Sequence, residues 1–208
     1  MADALPVTVF TDIICPFCYV GHRRLKRVRE QVPLDVTWRF LEIHPETPPD
    51  GMPVEMLGYP PDLWSRMSMH LGNLAAEEGI ALAERRITTN SHKALLVAEA
   101  AKALGEERFE EVTERLFFAF FTEGRNIGRT DVLTEVARDA GLSDEIVERA
   151  LIEPAFEAQL KENLMEAARH GIRGVPAFVF GEDPAHLVSG AVPLPQLLMA
   201  AREAAGAV

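Results

Sequence analysis

The chain has 208 residues, 48% of them apolar and 25% charged, a composition that excludes a disordered or collagen-like protein and allows one ordinary core or one core with a second embedded in it. The formal charge is −11, and it is uneven: residues 1–40 carry +2 while residues 99–166 carry −9, which disfavours nucleic acid and anionic membrane as partners. No apolar run approaches the roughly 20 residues of a membrane span, and the first six residues lack the basic and apolar regions of a signal peptide. A cytoplasmic protein is therefore expected. Only two cysteines are present, Cys15 and Cys18, too few for a disulfide-stapled scaffold.

In chain order, Val7 to Ile14 is rich in β-branched and aromatic residues and predicts a buried strand. Cys18, Gly21, Leu25, Val28 and Val32 then recur at helical spacing, and Pro33 stops that helix. Within it, Arg23, Arg24, Lys26, Arg27 and Arg29 read as a solvated face whose positive charge suits a helix C-terminus, with a phosphate-binding patch as the alternative. Leu34, Val36, Trp38 and Phe40 alternate with polar residues and predict a half-buried strand. Strand, helix and strand in so short a span imply a parallel pair with a right-handed crossover.

Residues 45–61 hold six prolines and two glycines and read as a long connection. From Leu63 to Met165 every segment reads helical, with no strand-like period. The first stripe is Leu63, Met67, His70, Leu71 and Leu74, closed by Gly79. Asn90 or Ser91 caps a helix that ends near Gly105, and Phe109, Val112, Leu116, Phe117, Phe120 and Phe121 form a broad apolar face. Thr130 opens a helix with Leu133, Val136 and Ala137 inward, ended by Gly141; Ser143 caps the next; Pro154 opens another that runs to Gly171. Strand character returns at Ala177–Phe180. The turn residues Gly181–Pro184 lead to a partner strand over His186–Ser189, and Pro195 opens a last helix. The order is βαβ, then helices, then ββα, with boundaries at 1–44, 45–165 and 166–208.

Cys15-Pro16-Phe17-Cys18 stands where a strand passes into a helix. First-turn N–H groups there have no partner within the helix, and the end of the helix carries about half a positive charge, so a thiolate at Cys15 is favoured. Cysteines in such places have pKa values of roughly 3.5–7.5 against about 8.5 for a free thiol. Cys18, one turn on and deeper, is placed to close a short disulfide. The pattern assigns attack to Cys15 and resolution of a mixed disulfide to Cys18. A structural zinc site would need two histidines besides, and none of the six pair at ligand spacing, so no metal is expected. Two inert buried thiols are the remaining alternative. Far along the chain, Gly174-Val175-Pro176-Ala177 sets a proline at the first residue of a strand, where its missing N–H is tolerated. A cis Val175–Pro176 bond there would leave the backbone groups of Val175 beside the thiols, free to pair with an extended substrate; a trans proline opening the strand is the alternative.

These residues resemble the thioredoxin superfamily in its DsbA-like branch, and the FrnE-like subgroup in particular. The resemblance is carried by Asp12 to Gly21, by Trp38 to Glu46, by the stretch from Phe117 to Gly128, and by Gly174-Val175-Pro176. It implies an α/β thioredoxin fold with an all-helical domain inserted in the middle, and a thiol–disulfide oxidoreductase with Cys15 as nucleophile, Cys18 as resolving thiol and Pro176 in cis. Protein or peptide thiols and disulfides are the implied partners, with glutathione as an alternative co-substrate and no resident cofactor. Relatives often have Trp where Phe17 stands, and DsbA has His. Phe17 offers no charge to hold a thiolate, so a couple less oxidising than that of DsbA is expected, modulated by Pro16 and Phe17. No second cysteine pair exists for an internal disulfide relay. Asp12 reads either as a proton acceptor for Cys18 or as a solvent-facing strand end, and His22 as a surface residue. Trp38, Met67, Met69 and the phenylalanines from 109 to 121 read as core, or as the lining of a groove for an apolar peptide. Two other functions compete: a glutathione-dependent isomerase or transferase of the 2-hydroxychromene-2-carboxylate isomerase type, whose members have a Ser where Cys15 stands, and a peptide-binding chaperone domain.

Overall fold

The computed structural model describes residues 4–84, 86–181 and 186–206. Strand β1 (Leu5–Thr11), helix α1 (Pro16–Arg29) and strand β2 (Leu34–Phe40) form the predicted parallel unit, in register from Leu5 opposite Leu34 to Thr11 opposite Phe40. The first strand stops at Thr11 rather than Ile14. A turn intervenes, in which the Cys15 N–H donates to the Asp12 carbonyl (3.1 Å) and the Ile14 N–H to the Asp12 carboxylate (3.2 Å). Pro16 occupies the first turn of α1, where no N–H is missed.

Strand β5 (Ala177–Phe180) pairs antiparallel with β1, Val9 opposite Phe178, and β6 (Leu187–Ser189) pairs antiparallel with β5. The sheet order is β2-β1-β5-β6. The predicted turn keeps Gly181 at φ 72°, and residues 182–185 lie outside the described residues. Side chains alternate across the sheet with period two. Phe10, Ala177 and Val179 face one side and pack with Ala167 of helix α7 (Pro154–Arg169), with the ring of His170 6.0 Å from that of Phe10. Phe178 faces the other side, where it meets Gly21 of α1; α1 in turn packs on the last helix, α8 (Leu194–Ala204).

Two compact units result: Met1–Ile43 with Glu162–Val208, and His44–Lys161. The second is mostly helical: α2 (Pro61–Glu77), α3 (His92–Lys102), α4 (Glu106–Phe121), α5 (Thr130–Asp139), α6 (Asp144–Ile152) and the first half of α7. Helix α3 is central. Its residues Ala94 to Ala101 are all buried, the small side chains letting α4, α5 and α6 approach closely. The predicted apolar face of α4 is buried from Phe109 to Phe121, and the Ser143 hydroxyl accepts from the Ile146 N–H as the cap of α6.

Two expectations need correction. The proline-rich connection contains a two-residue strand β3 (Met52–Pro53) and a 3-10 turn (Val54–Leu57), and β3 pairs with β4 (Ile87–Thr88) inside the stretch read as wholly helical. Two residues are too few for a period to register. The stripe on α2 is also not core along its length. Only Leu74 and Ala75 are buried, Leu63 is exposed, and Met69, also read as core, has 63% of its surface in solvent. That half of the helix instead stacks Trp64 on Tyr59, ring centroids 6.1 Å apart.

Candidate functional site

Cys15 is the N-cap residue of α1, in extended backbone (φ −89°, ψ 115°), and its carbonyl accepts from the N–H groups of Cys18 and Tyr19 at 3.0 and 3.3 Å. The local sequence explains this. Asp12 turns the chain out of β1, and Pro16 presets the helical φ, so Cys15 falls where side chains point past the first helical turn. Both thiols are free, Cys15 with 5% and Cys18 with 1% of its surface exposed. The Cys15 thiol is directed at the Val175 carbonyl, Sγ to O 3.7 Å, across 160 residues of sequence. The Val175–Pro176 peptide bond is cis. The chain turns there into β5, and Phe17 is half-buried in the first turn of α1.

Cys18 lies beneath. Burial raises its pKa well above the usual thiol value, and the hydrogen bond and charge of Cys15 raise it further; the Asp12 N–H (3.5 Å from Sγ) and the Thr11 side chain act in the opposite direction. In the reduced protein Cys18 is therefore a thiol at neutral pH.

Asp12 is fully buried, which removes the solvent-facing reading. It engages the loop with four atoms. Its N–H donates to Cys18 Sγ and its carbonyl accepts from Cys15. Its two carboxylate oxygens accept from Ile14 (3.2 Å) and from Ile43 (2.8 Å), the residue that closes the first part of the unit. The carboxylate thus ties the dithiol loop to the segment beyond β2. Asp12→Ala would strand the two N–H groups that now bond its side-chain oxygens, each lost partner costing about 1–3 kcal/mol. A loss of roughly 3 kcal/mol in unfolding free energy is expected from urea titration of the reduced protein.

His22 was read as a surface residue and is instead buried, its ring 5.3 Å from that of Trp38. Burial and the charges of Lys26, Arg23 and Arg29 lower its pKa to about 3, so it is neutral in the fold. It sits one turn beyond Cys18 because the apolar stripe of α1 is wider than the five residues first assigned to it. The site also holds residues that the sequence reading did not mark for it. Thr11 touches Cys18, and Gly21 lies against the Pro176 ring. Gly21 did appear in the apolar stripe; Thr11 left no signal beyond its place in the strand.

A four-stranded sheet of this order, with two cysteines opening its first helix and a cis-proline loop across from them, defines a DsbA-like thioredoxin fold. The chain belongs to the DSBA-like thioredoxin domain family, which it matches over residues 6–201. It is similar to a probable DsbA oxidoreductase from Streptomyces coelicolor, with 31% identity, a TM-score of 0.85, and coverage of 97% of this chain and 90% of that one. A cytosolic disulfide reductase, DsbM, from Pseudomonas aeruginosa has the same fold at 20% identity and a TM-score of 0.69, covering 97% and 96% of the two chains, and its structure with glutathione is also known. So does a 2-hydroxychromene-2-carboxylate isomerase, at 19% identity and a TM-score of 0.75, covering 98% and 99%. Among the described residues no helix is long and apolar enough to cross a membrane.

Proposed function

We propose that this protein is a thiol–disulfide oxidoreductase of the FrnE-like subgroup that reduces or rearranges disulfides of protein or peptide substrates in the cytoplasm. The observation that carries the reading is the Cys15 thiol standing 3.7 Å from the Val175 carbonyl, with Cys18 beneath it. Cys15 Sγ, as thiolate, attacks one sulfur of the substrate disulfide. The substrate S–S bond breaks, one substrate thiolate leaves, and Cys15 is joined to the other sulfur. Cys18, deprotonated, then attacks Cys15 Sγ and expels the second substrate thiolate. The substrate has gained two electrons, the protein holds a Cys15–Cys18 disulfide, and the two protons of the dithiol end on the substrate thiols. Two glutathione molecules, oxidised to their disulfide, or another dithiol, restore the reduced state.

Val175 offers its backbone N–H and carbonyl to an extended substrate chain, with Pro176 shaping the loop. Phe17 adds no positive charge beside Cys15, which favours a couple more negative than the approximately −120 mV of DsbA and so reductive or isomerising work. The likeness to the cytosolic reductase DsbM supports the same direction and compartment, and its glutathione complex supports glutathione as co-substrate. The isomerase-type reading has the fold in its favour and the second thiol against it, since that chemistry has no use for a resolving cysteine.

The test is Cys15→Ser assayed on a disulfide-bonded peptide with glutathione as reductant. Loss of at least about 1,000-fold in turnover is expected, because a hydroxyl cannot form the mixed disulfide. Turnover at the wild-type rate would exclude the proposal. Peptide binding without redox turnover by either protein would favour a chaperone domain.

A further inference from the structure

We propose that Arg24 is a positioning residue for the substrate-binding loop, linking the helix that carries the dithiol to Pro176. This role rests on the oxidoreductase reading above. Arg24 lies nine residues after Cys15 on α1 and is among the largest fully buried side chains, with 1% of its surface exposed. Its Nη1 donates to the carbonyls of Ala191 (3.0 Å) and Val192 (2.7 Å), across the fold from α1. The residue just before them, Gly190, donates its N–H to the Pro176 carbonyl at 2.8 Å. The connection therefore runs from α1 through the guanidinium to residues 190–192 and on to the proline that follows Val175.

A second contact reaches the same proline from the same helix. Gly21 lies so close to the sheet that a methyl group there would stand 3.1 Å from Phe178 Cζ and 3.2 and 3.3 Å from Pro176 Cγ and Cβ. Gly21 and Arg24 are three residues apart and so share a face of α1. One sets how near α1 comes to Pro176, and the other holds the segment behind Pro176. Burying a guanidinium is costly unless its hydrogen bonds are satisfied, and a packed apolar residue would join α1 to α8 at less expense. What an apolar residue cannot do is accept no compromise in direction. Two carbonyls converging on one Nη1 fix the 190–192 segment, and with it the loop that pairs with substrate.

Loss of this link should weaken substrate binding more than it moves the dithiol's own equilibrium, because the loop reaches the thiols through the long contact of the Val175 carbonyl with Cys15 Sγ (3.7 Å) but meets an extended substrate along its backbone. Arg24→Met, Arg24→Lys and Gly21→Ala would be compared with wild type in steady-state reduction of a disulfide-bonded peptide and in redox equilibrium with glutathione. In Arg24→Met, KM for the peptide is expected to rise about 10-fold, kcat to change less than about threefold, and the glutathione equilibrium constant to move less than about threefold. Arg24→Lys, which keeps a cationic donor for both carbonyls, is expected to restore KM to within about threefold. Gly21→Ala tests the same loop without removing a buried charge. Alanine favours the helix, so a rise in KM there reports the contact with Pro176 and not a weakened α1. If Arg24→Met does not fold, Arg24→Gln, which removes the charge but keeps a donor, is assayed in its place with the same expected rise in KM. Wild-type KM in Arg24→Met, or a fall in kcat matched by a shift of the glutathione equilibrium, would overturn the role of Arg24 alone; wild-type KM in Gly21→Ala would overturn the contact of α1 with Pro176 as part of the link. A wild-type protein that forms no disulfide with glutathione and turns over no peptide would overturn the oxidoreductase reading, and this role with it.

Discussion

Cys18→Ser is expected to convert a transient intermediate into a product that can be isolated. With Cys15 intact, the variant attacks a disulfide substrate and stops at the mixed disulfide, since nothing within the chain can displace it. Intramolecular attack by a neighbouring thiol has an effective concentration far above that of any external thiol. Turnover at millimolar glutathione should therefore fall by roughly 1,000-fold or more, and intact-mass analysis without reductant should show the chain plus one substrate half, lost on adding dithiothreitol. The surroundings of Cys18 explain why resolution is timed to follow attack. Burial raises the pKa of Cys18, and so do the hydrogen bond and charge of Cys15. Once Cys15 is bonded to substrate sulfur, it supplies neither. Burial still raises the pKa of Cys18, but with those two contributions gone and the Asp12 N–H and the Thr11 side chain still favouring the thiolate, the resolving group is easier to deprotonate after the step it must follow than before it. Full turnover by Cys18→Ser would mean that resolution comes from outside the protein.

The second large effect concerns acid. His22 titrates near 3 in the fold and near 6.5 when unfolded, so the unfolded chain binds a proton that the native state refuses. Its neutral form contributes no penalty above pH 6.5. As pH falls from there toward 3, the native state loses stability at up to about 1.4 kcal/mol per pH unit. Between pH 7 and 4.5 this one group should lower the unfolding free energy by about 3 kcal/mol, a large share of the 5–15 kcal/mol typical of domains. His22→Phe keeps a ring against Trp38 and removes the titration. Urea unfolding at the two pH values should show the difference shrink by that amount in the variant. Equal pH dependence in both proteins would place the acid sensitivity elsewhere.

His22 also shows where reading the residues alone falls short. Its spacing from Cys18 is visible, but whether a His at the margin of an apolar stripe faces solvent depends on what packs there, and Trp38 arrives from another strand. Asp12 is similar. Its place at a strand end leaves open a solvent-facing side chain, whereas it is fully buried and its oxygens are engaged by two N–H groups, one of them thirty-one residues away. By contrast, Leu34–Phe40 was legible to the residue, because strict alternation is a local property of a strand with one buried face. The helices from Glu106 to Ile152 were legible through caps and glycine stops, also local. The exposed half of α2 was not, since an apolar stripe announces that a helix is amphipathic without saying that anything covers it. The two-residue strands β3 and β4 carry no pattern at all and exist by pairing with each other. Arg24 stands in a run of cations that suits a helix end, and its burial and its bonds to the carbonyls of Ala191 and Val192 distinguish it from its neighbours.

The 160 residues between Cys15 and Val175 have a consequence for how the chain is made. β1 and β2 leave the ribosome early, yet the strand that completes their sheet, and the loop that covers Cys15, come only after the whole helical insertion. At about 5–20 residues per second, the thiols wait roughly 10–30 s before their cover is synthesised. Until then β1 lacks the strand that pairs with its second edge, and Cys15 lacks the carbonyl that faces its thiol. Birth in a reducing compartment, or a chaperone that shields residues 12–18 until β5 emerges, would deliver the dithiol intact.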